Sequence, residues 1–265
     1  MPPIVTLTSD FGLRDPFAGI LKGVIWNIAP KARIVDLTHE IEPQNIRQAA
    51  LTLESAAPYF PKGTIHLAVV DPGVGSERRA MAVDCGDCYF VGPDNGLASA
   101  LLTPRSKCYE LNKKKYFLSP LSATFHGRDV FAPIAAWLAK GTPISQLGRK
   151  ITDAQRLSFP GPERKGDTLK GEILHVDRFG NLSSNIKADD LIPLKKKQSK
   201  LRIRISRKSI AGLVENYTQV AAEQYGALIN SWNRLEIFCN QENAAERLKA
   251  GIGSAITISQ EVKSQ

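Results

Sequence analysis

"GTIHLAVVDPGVGSERR", residues 63 to 79, reads as a buried strand that ends abruptly in polar chemistry. Gly63 to Val70 is a short apolar and β-branched run with turn signals on both sides, as in a strand covered on both faces. Asp71 follows, then Pro72-Gly73, a second glycine at position 75, and Glu77-Arg78-Arg79. Toward the N-terminus, Pro3 to Ser9 (PIVTLTS) reads as a first strand ending at Asp10. Ala18 to Ile28 has helical spacing, Arg33 to Leu37 is a second strand, and Ile46 to Tyr59 a second helix. This strand-helix alternation predicts an α/β domain with a largely parallel central sheet. Such sheets bind ligands at the carboxyl ends of their strands, which is where Asp10 and Asp71 fall.

Toward the C-terminus, Met81–Val83, Tyr89–Val91 and Lys107–Leu111 predict short strands around a helix near Leu97–Leu102. Asp129 to Ala139 predicts a last helix, closed by Lys140-Gly141. Residues 158 to 171 (SFPGPERKGDTLKG) are rich in Pro, Gly and charge, as a linker is. Beyond them EILHVDRFGN, KLRIRISRK, GALINSWNRLEIFCN and AITISQEV alternate over short lengths, predicting a small C-terminal all-β barrel. The expected division is an α/β domain over 1–160 and a β-barrel domain over 168–265.

The chain has 265 residues, 43% hydrophobic and 23% charged, enough for a soluble protein with a substantial core. No apolar run approaches the ~18 residues of a membrane span, and MPPIVTLTSDFG has no basic segment leading into an apolar one. The expectation is a cytoplasmic protein with no membrane partner. Cys85, Cys88, Cys108 and Cys239 are too few for a disulfide framework. Cys85 and Cys88 flank a Gly-Asp turn between strands, whereas a redox C-x-x-C opens a helix; a zinc site would need a second ligand pair. No metal and no cofactor are expected.

The net charge is +9, carried mainly by Lys113–Lys115, Lys195–Lys197 and Arg202–Lys208. RIRISRK alternates charge with apolar residues, the pattern of a half-buried strand with one solvated face. No aromatics interleave to form a stacking platform, so no nucleic-acid partner is expected; a phosphate-binding patch is the rival reading.

Several motifs are excluded by what they lack. Asp10-Phe11-Gly12 has no accompanying H-R-D or glycine-rich loop. Gly73-Val74-Gly75 lacks the third glycine of a dinucleotide fingerprint and the lysine of a P-loop. What remains is Asp10, Asp71, Asp94-Asn95 and Asp177 at strand ends, each able to cap a turn or to hold a ligand. His126, in TFHGRDVFAP, is the most suggestive histidine. His66 and His175 lie inside predicted strands as structural residues, and His39, in DLTHE, is open. Arg79 reads as a surface charge. Asp177 to Asn181 and Asn230 to Arg234 are polar turns carrying Phe179 and Trp232, which would either stack on a base or cover the barrel end.

TSDFG, VVDPGVGSERR, VGPDNG, TFHGRDVFAP, DRFGN and NSWNRLEIFCN occur in this order. Together they resemble the S-adenosyl-L-methionine hydrolases (adenosine-forming), also called SAM hydroxide adenosyltransferases, related to the fluorinase and chlorinase. The resemblance implies S-adenosyl-L-methionine (SAM) as substrate, adenosine and L-methionine as products, and a homotrimer with sites between subunits. It implies a catalytic set of Asp71, Arg78 and His126, with Asp10 on the ribose hydroxyls. Phe125, Asp177, Phe179, Asn181, Asn230 and Ser231 would bind substrate, Asp177 at the ammonium, Phe179 and Asn181 at the adenine. The related halogenases carry an aromatic in place of Asp71, a Tyr-Ser in place of His126-Gly127, and a further loop before Asp94. The resemblance is therefore to the water-using branch. Trp232 departs from the residue usual after Asn-Ser.

Overall fold

The computed structural model describes residues 2–194 and 201–260; the basic run Lys195–Lys197 and the end of the AITISQEV strand lie outside them. The chain divides into two compact units, Met1–Leu157 and Ser158–Gln265.

The first unit is a seven-stranded mixed sheet between layers of helix. Strands β1 (Ile4–Ser9), β2 (Arg33–Thr38), β3 (Thr64–Val69), β4 (Ala80–Asp84), β5 (Cys88–Pro93), β6 (Lys107–Glu110) and β7 (Arg149–Ile151) stand in the order β2-β1-β3-β5-β4-β6-β7. The pairings β1–β2, β1–β3 and β3–β5 are parallel. The remaining three, β4–β5 across the tight Cys85–Cys88 turn, β4–β6 and β6–β7, are antiparallel. The expectation of a largely parallel sheet thus describes β2, β1, β3 and β5, which carry the polar strand ends, while β4, β6 and β7 run through antiparallel pairings.

Alternation along β3 explains the layering. Ile65, Leu67 and Val69 pack with Leu21 and Ile25 of α1 (Phe17–Ile28) and Ile134 of α3 (Ala132–Ala139). Ala68 and Val70 point to the opposite face, packing with Ala49 and Leu53 of α2 (Ile46–Ala56). Residues two apart share a face of a strand, so a strand buried on both faces shows no polar alternation. The side chain of Asn45 starts α2 by accepting the N–H of Gln48 at 2.9 Å.

Two helical expectations are shortened or reshaped. Leu97–Ala100 is a single 3₁₀ turn, and the segment before α3 opens as a π-helical turn over Gly127–Phe131. The Pro133 nitrogen has no proton to give an α-helical ladder, so the wide turn runs into α3 at the point where a proline costs least.

The second unit is antiparallel. Its strands are β8 (Glu163–Lys165), β9 (Thr168–Val176), β10 (Leu182–Lys187), β11 (Leu201–Ile205), β12 (Lys208–Ala211), β13 (Tyr225–Ile229), β14 (Arg234–Cys239) and β15 (Ala255–Gln260). They stand in the order β12-β11-β15-β9-β10-β14-β13, with β8 beside β9, as a barrel-like sheet around one apolar core. In β11, Leu201, Ile203 and Ile205 are buried while Arg204 is exposed, the solvated-face arrangement. No helix among the described residues is long and apolar enough to cross a membrane.

Candidate functional site

At the carboxyl end of β3 the chain turns through Pro72–Gly75 and folds Arg78 back onto Asp71. Arg78 Nε lies 2.8 and 3.0 Å from the two carboxylate oxygens of Asp71, and Nη2 also donates to Oδ2. The same Nη2 donates to His126 Nδ1 at 2.8 Å. The guanidinium stacks 5.3 Å from the ring centre of Phe131, which is fully buried. The side chains of Arg78 and Asp71 are 10% and 6% exposed, so this ion pair is held largely out of water.

The turn depends on its glycines. Gly75 has φ +80°, and a Cβ there would lie 2.6 Å from the Ala123 carbonyl oxygen. That is closer than any side chain tolerates, at a backbone angle that only glycine adopts freely.

Arginine only donates, so His126 must present a bare Nδ1 and carry its proton on Nε2. Burial, then the charge of Arg78, pushes the His126 pKa below the usual imidazole value; Asp71 and Asp129 pull weakly the other way. His126 is therefore neutral at pH 7, with an N–H donor on the ring edge away from Arg78. His126 immediately precedes the π-helical turn, which Arg128 and Asp129 brace through a 2.6 Å pair. Ser122 N–H adds 2.8 Å to the other oxygen of Asp129.

A cavity of about 300 Å³ in this unit is lined by Asp10, Gln44, Asp71, Phe125 and His126, among others. One oxygen of Asp10 accepts the N–H of Gln44 at 2.8 Å. Phe125 belongs to an edge-to-face cluster with Phe11 and Phe17, at centroid distances of 5.9 and 5.3 Å. Gln44 is a site residue that sequence reading missed. Its φ of +66° is unusual for a side-chain-bearing residue, and the Pro43-Gln44-Asn45 spacing before a helix was the only available signal.

In the second unit, Asp177 shapes a turn at the end of β9. Its carboxylate accepts the backbone N–H of Phe179 (2.9 Å) and Asn181 (2.8 Å), and the Asn181 side-chain amide (3.0 Å). Phe179 is left 77% exposed at the tip. These residues line a recess of about 600 Å³ with Tyr217 and Asn243. An adjoining recess of about 420 Å³ is lined by Asp177, Asn230, Ser231, Trp232 and Glu236.

Asn230 spends its side-chain hydrogen bonds on its own turn and on the neighbouring strands β10 and β14. Oδ1 accepts from Trp232 N (3.0 Å) and Arg234 N (3.1 Å), while Nδ2 donates to Ser183 Oγ and Glu236 Oε2, each at 2.9 Å. Glu236 is 4% exposed, and Tyr217 Oη donates to it at 2.8 Å. Burial and then this carboxylate push the Tyr217 pKa up to about 12. Tyr217 and Glu236 were also missed by sequence reading, since neither sits in a turn motif.

His66 Nδ1 is 2.8 Å from Thr6 Oγ1 inside β3, and His175 packs 5.2 Å from the Trp232 ring. Arg79 is not a bare surface charge: it bonds Asp94 (2.9 Å) and Asp153 (2.8 Å), and Asp94 also accepts Gln155 N at 2.8 Å. The reason is that Asp94, 1% exposed, needs a cation and backbone donors to stay buried. Asp94 therefore holds the fold of its loop, and Asn95 does the same by donating to Val70 O at 2.9 Å. Cys85 and Cys88 close the β4–β5 turn as free thiols. Among the described residues, no group of three or more His, Cys, Asp or Glu is arranged to hold a metal ion.

Residues 5–148 match the family model described as SAM hydroxide adenosyltransferase N-terminal domain, and residues 171–257 match that family's C-terminal domain. An "(R)-S-adenosyl-L-methionine hydrolase" of Salinispora tropica is 36% identical over 261 residues, 97% of each chain. A "Fluorinase" of Actinoplanes sp. strain N902-109 is 27% identical over 218 residues, 71% of this chain and 73% of its own. A crystal structure of an uncharacterized conserved protein from Thermotoga maritima superposes with TM-score 0.89 at 35% identity, covering 97% of this chain and 99% of that one.

Proposed function

This chain belongs to the SAM hydroxide adenosyltransferase family, and from that membership we propose how it works. It hydrolyses SAM to adenosine and L-methionine, and does so by in-line attack of a water on the ribose C5′. The balance is SAM cation plus water giving adenosine, methionine and one proton. The sulfur departs as a neutral thioether, so the leaving group needs no general acid. Water is the difficult partner, because in bulk it is a very weak acid and a poor nucleophile.

The observation that carries the reading is Arg78 donating at once to Asp71 and to His126 Nδ1 at 2.8 Å. It fixes the direction of every proton in the trio. His126 cannot act as a base, because Nδ1 is occupied and Nε2 is protonated; it offers an N–H to the attacking oxygen. Asp71 is the acceptor, and its lone pairs not engaged by Arg78 aim one water proton away from C5′. The Arg78 N–H groups hold the carboxylate in one orientation, so its remaining lone pairs meet the water in a fixed direction. Orientation and the charge of Arg78, which stabilises developing hydroxide, therefore contribute more than full proton removal before attack. The proton passes to Asp71 as the C5′–O bond forms, and on to solvent.

Asp10 binds the ribose hydroxyls: the Gln44 N–H on one oxygen leaves the other free to accept. Phe125 packs on the sugar. In the second unit, Phe179 and Asn181 take the adenine and Asp177 the ammonium of the amino acid. Asn230 shapes the turn that presents Ser231. The two sets of residues meet between neighbouring copies of the chain in a homotrimer. Incubation with SAM followed by chromatography tests the reaction. Adenosine and methionine in equal amounts are expected; halide-dependent loss of adenosine in favour of a 5′-halo nucleoside would replace water with halide as the nucleophile.

A further inference from the structure

Ser9, His39 and Asp36 form a hydrogen-bonded line that the proposed mechanism leaves unused. Ser9 Oγ lies 2.7 Å from His39 Nδ1, and His39 Nε2 lies 3.1 Å from Asp36 Oδ1. Lys22 Nζ sits 2.5 Å from the other Asp36 oxygen. In composition this is the serine, histidine and carboxylate set of a hydrolase. Its placement excludes that use: Ser9 and His39 are 1% and 3% exposed, so no substrate carbonyl reaches the hydroxyl.

The surrounding backbone gives the line another task. Ser9 Oγ accepts the N–H of Phe11 at 3.4 Å, and the His39 carbonyl accepts the N–H of Gly12 at 2.7 Å. The Ser9 carbonyl accepts the N–H of Ile41 at 3.3 Å. Asp10 stands between these ties, with Gln44 N on its own carboxylate. The β1–β2 register slips by one residue at this point, with Leu7 opposite Asp36 and Thr8 opposite Thr38.

The proton directions are consistent throughout. Burial opposes the charge of Asp36, but hydrogen bonds from Lys22 and His39 outweigh it and hold the carboxyl below its usual range. The charged carboxylate keeps the His39 proton on Nε2, Nδ1 accepts from the Ser9 hydroxyl, and Ser9 accepts from Phe11. Each member thus donates toward Asp36, an order in which neighbouring bonds polarise one another.

We propose that His39, oriented by Asp36 and Lys22, is a positioning residue that sets the loop carrying Asp10 for the ribose. This rests on the reading of Asp10 as the ribose clamp. The test is a double-mutant cycle on SAM hydrolysis with Asp10→Ala and His39→Ala, with His39→Asn as the conservative variant. Asn keeps an acceptor where Nδ1 stands. His39→Ala should raise KM by roughly tenfold with kcat within about threefold of the parent, and His39→Asn should recover most of the loss.

In the double variant KM should be no higher than in Asp10→Ala alone, because His39 acts through Asp10. Additive effects, or a fall in kcat with KM unchanged, would overturn the proposal. Should His39→Ala not fold, Ser9→Ala severs the line at its other end and must give the same KM pattern. Asp10→Ala with an unchanged KM would instead reject the ribose-clamp reading itself, which separates the two failures.

Discussion

Arg78 is the residue through which the proposed catalytic trio holds its shape. Its guanidinium satisfies Asp71, dictates the His126 tautomer and rests on Phe131. Replacing Asp71 with alanine would leave a largely covered cation unpaired, a change that costs ~3–5 kcal/mol in comparable sites. Asp71→Asn keeps an acceptor for Arg78 and isolates the chemistry. Asp71→Asn and His126→Ala should each lower kcat by about 10²–10⁴-fold while SAM binding by calorimetry changes little. Binding lost in parallel with kcat would contradict these roles.

The His126 ring gives a second residue-scale prediction. Its folded pKa is lowered, first by burial and then by Arg78. The folded protein therefore resists protonation there, and the associated stability is full above the unfolded value of about 6.5 and lost as pH falls through the folded one. An NMR titration of His126 should give a midpoint below about 6.5, and Arg78→Ala should move it upward. A midpoint above that value, or a downward move, would refute the assigned tautomer and its cause.

At the scale of elements, the polar ends of β1 and β3 were legible in the sequence because apolar runs stop at Asp10 and Asp71. Glycine-rich turns follow such strand ends for a physical reason: the backbone must reverse within a few residues. Gly75→Ala should cost about 1–3 kcal/mol of stability for the positive φ alone. It should also reduce kcat, because Ala123 must shift and the turn that returns Arg78 moves with it. Denaturant midpoints and kcat measured on the same preparation check both, and an unchanged midpoint would show the turn to be tolerant.

What the sequence hid were partners distant along the chain. Arg79 looked like a surface charge because Asp94 and Asp153 lie 15 and 74 residues away. Glu236 sits inside a strand whose every residue is buried, where alternation gives no warning of a carboxylate. Gln44 carries no motif beyond its place between Pro43 and Asn45 just before a helix, and its positive φ shows only in the structure. His39 could not be assigned because its meaning lies in Ser9, 30 residues earlier.

At the scale of the whole molecule, the proposed substrate contacts divide between the two units. Asp10, Asp71, Arg78 and His126 lie in the first, while Asp177, Phe179, Asn181 and Ser231 lie in the second. The proposed homotrimer, with sites shared between copies, predicts complementation. Asp71→Asn and Asp177→Ala proteins, each inactive alone, should regain activity when unfolded together and refolded as mixed trimers. Sedimentation should report a trimer for the parent chain. A monomer with full activity would contradict the shared site.

The central claim is that water attacks the ribose C5′. Hydrolysis of SAM in ¹⁸O-labelled water, followed by mass spectrometry of both products, tests it most directly. The account predicts one ¹⁸O in adenosine, at the 5′-hydroxyl, with none incorporated into methionine. Label appearing in the amino-acid product, or methylthioadenosine released in place of adenosine, would contradict it.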